Sequence, residues 1–409
     1  MLLVLGGLLP LALIAFQLGR RKALSQQTEG VRLHSQPGFY GWYASIWLVL
    51  PALGACLFFA LLNILGLFSA PWSMLLAAGL ACAALGLFLG LKAIRPGLAA
   101  RHRVEKVIQW FLILASGISI LTTLGIVLSI LFEAIKFFQM VSIWEFVTGT
   151  NWSPGASFLS GAGREGESAS ESEFGAVPIF AGTFMITFIA MCVALPIGLM
   201  SAIYMSEYAS GRVRGMAKPI LEILAGIPTV VYGFFAAITV SPLVVAAAES
   251  IGLDADYTNA LTPGLVMGVM IVPFISSLSD DIINSIPQSM REGSYALGTT
   301  TSETIKRVLL PAALPGIVSA FLLGVSRALG ETMIVVMAAG VRPNLTWNPL
   351  EGMTTVTVRI VDALTGDLAF DSAETLSAFG LGLALFVFTL TLNIISTVVI
   401  RRFKQQYEL

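Results

Sequence analysis

Charge is what this chain has least of: Asp, Glu, Lys and Arg make up 11% of its 409 residues, while 56% are hydrophobic. Together with a mean hydropathy of +0.86, this excludes an ordinary water-soluble domain, which would aggregate if it exposed so much apolar surface. The net charge is -1, and the basic residues form no dense run, which excludes an electrostatic nucleic-acid binder. Cysteine is scarce too. Cys56, Cys82 and Cys192 each fall inside an apolar run, so they read as small packing residues rather than a disulfide or metal framework. No lysine follows a glycine, so a phosphate-cradling G-x-x-x-x-G-K-[ST] loop is excluded.

What the chain has instead is long apolar runs. A helix needs about 20 apolar residues to cross the hydrocarbon layer with its backbone satisfied. Nine runs qualify, near 2–18, 43–68, 74–91, 107–132, 177–205, 219–240, 261–278, 312–339 and 378–400. The first is the shortest. No basic stretch precedes it and Arg20, Arg21 and Lys22 follow it, so it reads as a retained anchor rather than a cleaved signal peptide. With nine crossings, one set of alternate loops collects Arg20, Arg21, Lys22, Arg32, Lys92, Arg95, Arg101, Arg103, Lys106, Arg212, Arg214, Lys218, Arg291, Lys306, Arg307, Arg401, Arg402 and Lys404. The other side receives Lys136, Arg164, Arg342 and Arg359. The positive-inside bias then puts the N-terminus outside and the C-terminus in the cytoplasm.

The chain divides by character. Residues 1–106 hold three spans with hardly a polar residue inside them and read as an appended anchor. Residues 107–176 supply the next span and an outer loop, in which 157–173, rich in Ser, Gly and Glu, is expected to be flexible. Residues 177–401 carry spans with internal Pro, Gly and ionisable groups, and 402–409 form a cytoplasmic tail. Within the membrane runs stand Arg327 and Glu331, at a spacing that lets them pair on one helix face. A charge near the bilayer centre costs roughly 2.5 to 3.5 kcal/mol on insertion scales, so both are expected to face protein or water. Two readings stay open: Arg327 touches a passing anion while Glu331 keeps it from binding too tightly, or the two form a structural pair that orients the span. Glu222 sits near the start of another span, followed by Gly226, Pro228 and Gly233, which predict a bent or opened helix lining a protein cavity. Pro196 and Pro273 read as accommodated kinks, and the methionines as packing.

The polar stretch 280–311 is too long for a turn. Pro287 suits a helix start, Ser289 and Glu292 have capping-box spacing, and Gly298 suits a left-handed stop. Thr300 and Glu303 repeat the capping spacing before a second helix that Pro311 bounds. A helix, a glycine turn and a helix would thus expose Met290, Tyr295 and Leu297 for docking into a groove. The spacing Glu292, Gly298, then Val308, Leu310 and Pro311 resembles the coupling loop of type I ATP-binding-cassette importer permeases. In that family a glutamate and two alanines precede the glycine; Gly293 and Ser294 stand here instead, and both are small. The resemblance implies that Glu292 to Gly298 dock in a cleft of a separate ATP-binding subunit.

Three further runs narrow the resemblance. Pro178 to Thr183, Leu224 to Gly233 and Arg327 to Glu331 are similar to phosphate-specific permeases, and Gly330-Glu331-Thr332-Met333 is closer to the C-type than the A-type subunit. The resemblance covers about 107–400 and implies an all-α polytopic protein with a six-helix type I importer core, in a bacterial inner membrane; the three extra N-terminal spans depart from the usual six-span subunit and read as an anchor or an assembly surface. It further implies a second related permease, two ATP-binding subunits that hold ATP and magnesium, and an external phosphate-binding protein. This chain itself is expected to carry no cofactor, metal or catalytic group. Other substrates remain open, molybdate or sulfate among them, as do an ion-coupled secondary transporter using Arg327, Glu331 and Glu222, and a structural scaffold.

Overall fold

Length and apolarity set the architecture in the computed structural model, which describes residues 2–27, 32–66, 71–154, 173–365 and 371–407. Among these, eight helical stretches are long and apolar enough to cross a membrane: Pro37–Ile64, Met74–Ala93, Ala100–Met140, Val177–Tyr208, Thr229–Ser250, Leu261–Ser285, Thr301–Leu329 and Ala373–Val399. They answer to the second through ninth expected runs. The first run lies within a helix, α1 (Leu2–Ser25), that is not among the eight. The expected flexible loop 157–173 lies outside the described residues except for Glu173.

Two compact units divide the chain, 1–125 and 126–409. In the first, α1 is followed by α2 (Pro37–Ile64), α3 (Trp72–Ala93) and the start of α4 (Ala100–Met140). The helices approach through small residues, as membrane helices without a hydrophobic drive between them must. A Cβ on Gly19 of α1 would stand 2.6 Å from the Tyr40 carbonyl oxygen of α2, and the Ser45 hydroxyl donates to the Ala12 carbonyl at 2.8 Å. Tyr40, Tyr43, Ala44, Ile94, Ala100 and Val104 close the core at the basic end of this unit.

The second unit begins within α4. Phe137 packs its ring edge to face on Phe146 of α5 (Ile143–Thr148) and on Phe174. Phe174 belongs to a two-residue antiparallel pairing of β1 (Trp152–Ser153) with β2 (Glu173–Phe174), a small exception to the all-helical expectation. Then come α6 (Val177–Ile203), extended by a π turn over Tyr204–Tyr208, and α7 (Gly211–Gly226). Next are α8 (Thr229–Phe235), a π turn over Ala236–Val240, α9 (Ser241–Ser250) and α10 (Leu261–Ser285). The remaining elements are α11 (Gln288–Ala296), α12 (Thr301–Thr304), a π turn over Ile305–Leu309, α13 (Leu310–Leu329), α14 (Met333–Ala338), α15 (Val356–Thr365) and α16 (Ala373–Tyr407). The core lies between α6 and α10, around Ile186, Ala190, Met267, Ile271 and Ile275. A Cβ on Gly268 would stand 2.8 Å from Val193 Cβ and 2.9 Å from the Ala190 carbonyl oxygen, so glycine there is what lets the two helices meet.

Several expectations change. The sixth span begins at Thr229, not near 219, because α7 ends at Gly226 and Ile227 and Pro228 are extended. The α7 helix is a separate element with no buried residue. The eighth span is displaced the other way. It runs from Thr301 to Leu329, and Gly330 ends it, so 330–339 is not part of the crossing. The π turn over Ile305–Leu309 has a local cause: Pro311 offers no N–H to the carbonyl four residues back and its ring crowds that carbonyl. At the C-terminus α16 runs on through Tyr407, so the expected tail from 402 continues the last helix. All three cysteines are free, and Cys192 is exposed rather than packed away.

Candidate functional site

The break between α7 and α8 creates the site. Gly226, Ile227 and Pro228 turn the chain so that α7 lies against the end of α10, and Pro228 serves as the N-cap of α8. Gly233, expected as a bend, is helical within α8. Its missing side chain instead admits α14, since a Cβ there would stand 2.9 Å from the Met333 carbonyl oxygen and 3.0 Å from Met337 Cβ.

Between α7, α10 and α13 lies a cavity of about 230 Å³ whose polar lining is Lys218, Glu222, Ser277, Asp280 and Arg327. Two of the expected pathway residues, Glu222 and Arg327, are thus brought together. Glu331 is not. Gly330 ends α13 before Glu331 is reached, so the helical i, i+4 geometry that would pair it with Arg327 does not form. Glu331 instead accepts the Met333 backbone N–H at 3.2 Å. It lines a separate space of about 10 Å³ beside Thr183, Thr187, Thr355 and Thr357.

Charge in the cavity is uneven. Asp280 is buried and receives Arg214 Nη2 at 3.0 and 3.2 Å, Lys218 Nζ at 3.5 Å and Asn284 Nδ2 at 2.8 Å. Two cations and an amide therefore answer one carboxylate, and Lys218 also lies 3.7 Å from Asp281. Arg327 has no carboxylate within 4 Å among the described residues. Its guanidinium carbon sits 5.5 Å from the centre of the Phe274 ring, a cation–π contact that orients it without neutralising it. Its place in the last turn of α13 sets the positive group by the negative end of the helix dipole. The cavity thus offers an unneutralised guanidinium, a shared ammonium and the Ser277 hydroxyl together with the carboxylate of Glu222. Such a lining can receive a small oxyanion and also release it. Asp280, Arg214 and Lys218 were not singled out for this role from sequence, where the two cations served only to orient the membrane.

The second constellation is the helix–turn–helix on the basic side. Gly298 adopts φ +82°, the left-handed stop expected of it. Thr300 forms a full capping box with Glu303, its hydroxyl accepting the Glu303 N–H and the Thr300 N–H donating to Glu303 Oε2 at 3.0 Å. The other expected box, Ser289 with Glu292, does not form. Pro287 is itself the N-cap of α11, so Ser289 falls inside the helix. Glu292, Gly293, Tyr295, Leu297 and Gly298 are exposed, with Leu297 86% exposed. Ser294 turns inward, its hydroxyl 2.7 Å from Thr299 Oγ1 and 3.0 Å from Thr304 Oγ1. Leu310 and Pro311 stand at the start of α13, where the second helix of the motif passes directly into a membrane span.

What holds α11 to the bundle is Arg291. Its Nη1 donates to the Ile286 carbonyl at 2.8 Å and its Nη2 to the Ile283 carbonyl at 2.7 Å, both on the exit from α10. Its Nε and Nη2 each donate to Glu207 Oε1 at 3.2 Å, in the π turn that extends α6. Both side chains are at most 10% exposed. One residue thus ties the surface helix to the ends of α6 and α10, the helices that form the core. No local pattern could announce it, because its partner lies 84 residues away.

Residues 194–407 match the family model described as "Binding-protein-dependent transport system inner membrane component", and residues 5–70 match one described as "Phosphate ATP-binding cassette transporter". The chain is 36% identical over 247 residues to the "Probable ABC transporter permease protein YqgH" of Bacillus subtilis strain 168, covering 60% of this chain and 74% of that protein. It is 30% identical over 308 residues to the "Phosphate transport system permease protein PstC" of Mesorhizobium japonicum, covering 70% and 88% respectively. A crystal structure of a bacterial ABC transporter involved in the import of the acidic polysaccharide alginate is 17% identical, covers 72% of this chain and 98% of its own, and superposes with a TM-score of 0.47.

Proposed function

Because this chain belongs to the family of binding-protein-dependent transport system inner membrane components, we propose that it carries inorganic phosphate across the membrane and that Arg327 meets the anion on the way. It is a multi-pass transport subunit of an ABC importer and not the ATPase, and such a subunit works with an external binding protein and ATP-binding partners. ATP and magnesium belong to those partners, two copies of them, and a second related permease completes the pathway.

The observation that carries the substrate class is the guanidinium of Arg327, which lines the cavity and itself has no carboxylate within 4 Å among the described residues. Phosphate is favoured over molybdate or sulfate by the match of residues 5–70 and by the PstC relative. Lys218 and Ser277 supply further donors, while the carboxylate of Glu222 in the same lining weakens the hold so that the anion leaves. Glu331 acts elsewhere, holding the start of α14 through the Met333 N–H.

Work reaches this cavity from the exposed face of α11. Glu292, Gly293, Leu297 and Gly298 dock on the ATP-binding subunit, and Ser294 and its hydroxyl partners stiffen the turn behind them. Arg291 then passes the displacement to α6 and α10, while Leu310 and Pro311 pass it along α13 to Arg327. The basic loops place α11 in the cytoplasm.

The test is uptake of labelled phosphate by proteoliposomes holding the complete complex and its binding protein, with ATP supplied to the ATPase side. Phosphate uptake that needs ATP, persists when ion gradients are collapsed, and resists excess sulfate or molybdate is expected. Uptake that follows an ion gradient without ATP, or that prefers another oxyanion, overturns the reading.

A further inference from the structure

The N-terminal unit contains a cavity of about 400 Å³ that the transport pathway does not use. Its walls are Trp47, Leu50 and Pro51 of α2 and Val107 and Trp110 of α4, and its mouth carries Arg103 and Lys106. All of these belong to the unit 1–125. The groove has a simple origin. Val104 and Ala100 of α4 pack against Tyr40 and Tyr43 of α2 at the basic end. Beyond that contact Trp47 and Trp110 line the space between the helices.

The mouth is closed on one side by Arg103, whose Nη1 donates to the Tyr43 hydroxyl at 3.2 Å and whose guanidinium carbon lies 5.9 Å from the centre of that ring. Neither Arg103 nor Lys106 has a carboxylate within 4 Å among the described residues. The neighbouring acid, Glu105, is taken by Arg101 at 2.6 Å. The groove therefore offers positive charge at one end and carbon along the rest, with aromatic rings between, over the eight residues from Arg103 to Trp110, about 10 Å of helix rise.

We propose that this groove binds one anionic phospholipid, its phosphate between Arg103 and Lys106 and an acyl chain along Trp47, Leu50 and Trp110. Basic pockets between membrane helices take acidic headgroups in this way, and tryptophan and tyrosine sit at the same interfacial depth. A free anion would satisfy the cations but leave the apolar wall unoccupied. A docked helix, about 10 Å across with its side chains, would fill a space of this size in roughly one turn, too little for a helix–helix interface.

The test uses the complete transporter complex, reconstituted in nanodiscs of phosphatidylcholine with a minor share of phosphatidylglycerol, then extracted and examined by native mass spectrometry for retained lipid. The native complex is expected to retain phosphatidylglycerol in preference to phosphatidylcholine. Near the membrane surface each basic side chain contributes enough to make K106Q weaken retention about five-fold and R103Q with K106Q about thirty-fold. Leu50→Trp, which fills the groove with both cations in place, should remove the bound lipid as well. Lys106 makes no hydrogen bond or ion pair among the described residues, so K106Q keeps the fold and carries the test if R103Q fails to assemble. Equal retention by K106Q and L50W, phosphatidylcholine held as tightly as phosphatidylglycerol, displacement by inorganic phosphate alone, or a peptide of another subunit crosslinked in the groove would each overturn the assignment.

Discussion

Removing the guanidinium of Arg327 takes away the one arginine of the cavity lining and leaves Lys218, already shared with Asp280 and Asp281, and the neutral Ser277 hydroxyl as donors. Hydrogen bonds to charged groups are worth about 1.5–3 kcal/mol, so Arg327→Ala should lower phosphate uptake by roughly ten-fold or more. Assembly should survive, because among the described residues the side chain makes no hydrogen bond or ion pair and rests on the Phe274 ring. Uptake and complex yield, measured separately on the same membranes, check both halves of this statement; normal uptake by an assembled variant would place Arg327 off the pathway. Glu207 behaves in the opposite way. Its loss leaves Arg291 buried with two carbonyls but no counter-charge, and breaking a buried pair from one side typically costs about 3–5 kcal/mol. Glu207→Ala should therefore unfold at clearly lower temperature in detergent. Any of the variant that does assemble should hydrolyse ATP with less phosphate moved per ATP.

At the scale of elements, α11 is a helix whose two faces do different work. Arg291 and Ser294 are buried against the bundle, while Tyr295 and Leu297 are open. The exposed leucine has no role in the fold to lose, so Leu297→Asp should leave thermal stability of this subunit unchanged while weakening capture of the ATP-binding subunit. Retention of that subunit in a pull-down of the tagged permease measures this. Full retention and full uptake would mean that the exposed face of α11 is not the docking surface. The turn behind this face is built from local chemistry, Gly298 at φ +82° and the Thr300 capping box, which is why its form was legible from spacing. The Ser289 box was misread because Pro287 starts the helix two residues earlier than that spacing requires.

For the whole molecule, the positive-inside rule predicts that α11 and the C-terminal end of α16 lie on the cytoplasmic side. A reporter fused after Leu409, active only in the cytoplasm, should accordingly be active, and an extracytoplasmic reporter at the same place silent; the reverse result would invert the assignment. The sequence by itself determined that this is a polytopic membrane protein without a P-loop, where most of its spans lie, and the shape of its helix–turn–helix. Those properties depend on composition and on contacts within a few residues, which spacing records. Only the tertiary structure decided that Arg327 shares a cavity with Glu222 rather than pairing with Glu331, that Asp280 is clamped by Arg214 and Lys218, and that Arg291 is held by Glu207. The sixth and eighth spans were displaced for a related reason. Apolar character continues through Pro219–Gly226 and Met333–Ala338, but extended residues at Ile227 and Pro228 and the helix end at Gly330 interrupt the crossings. Charge partners and helix breaks are chosen by which segments pack together, and segments far apart in the chain meet only after it has folded.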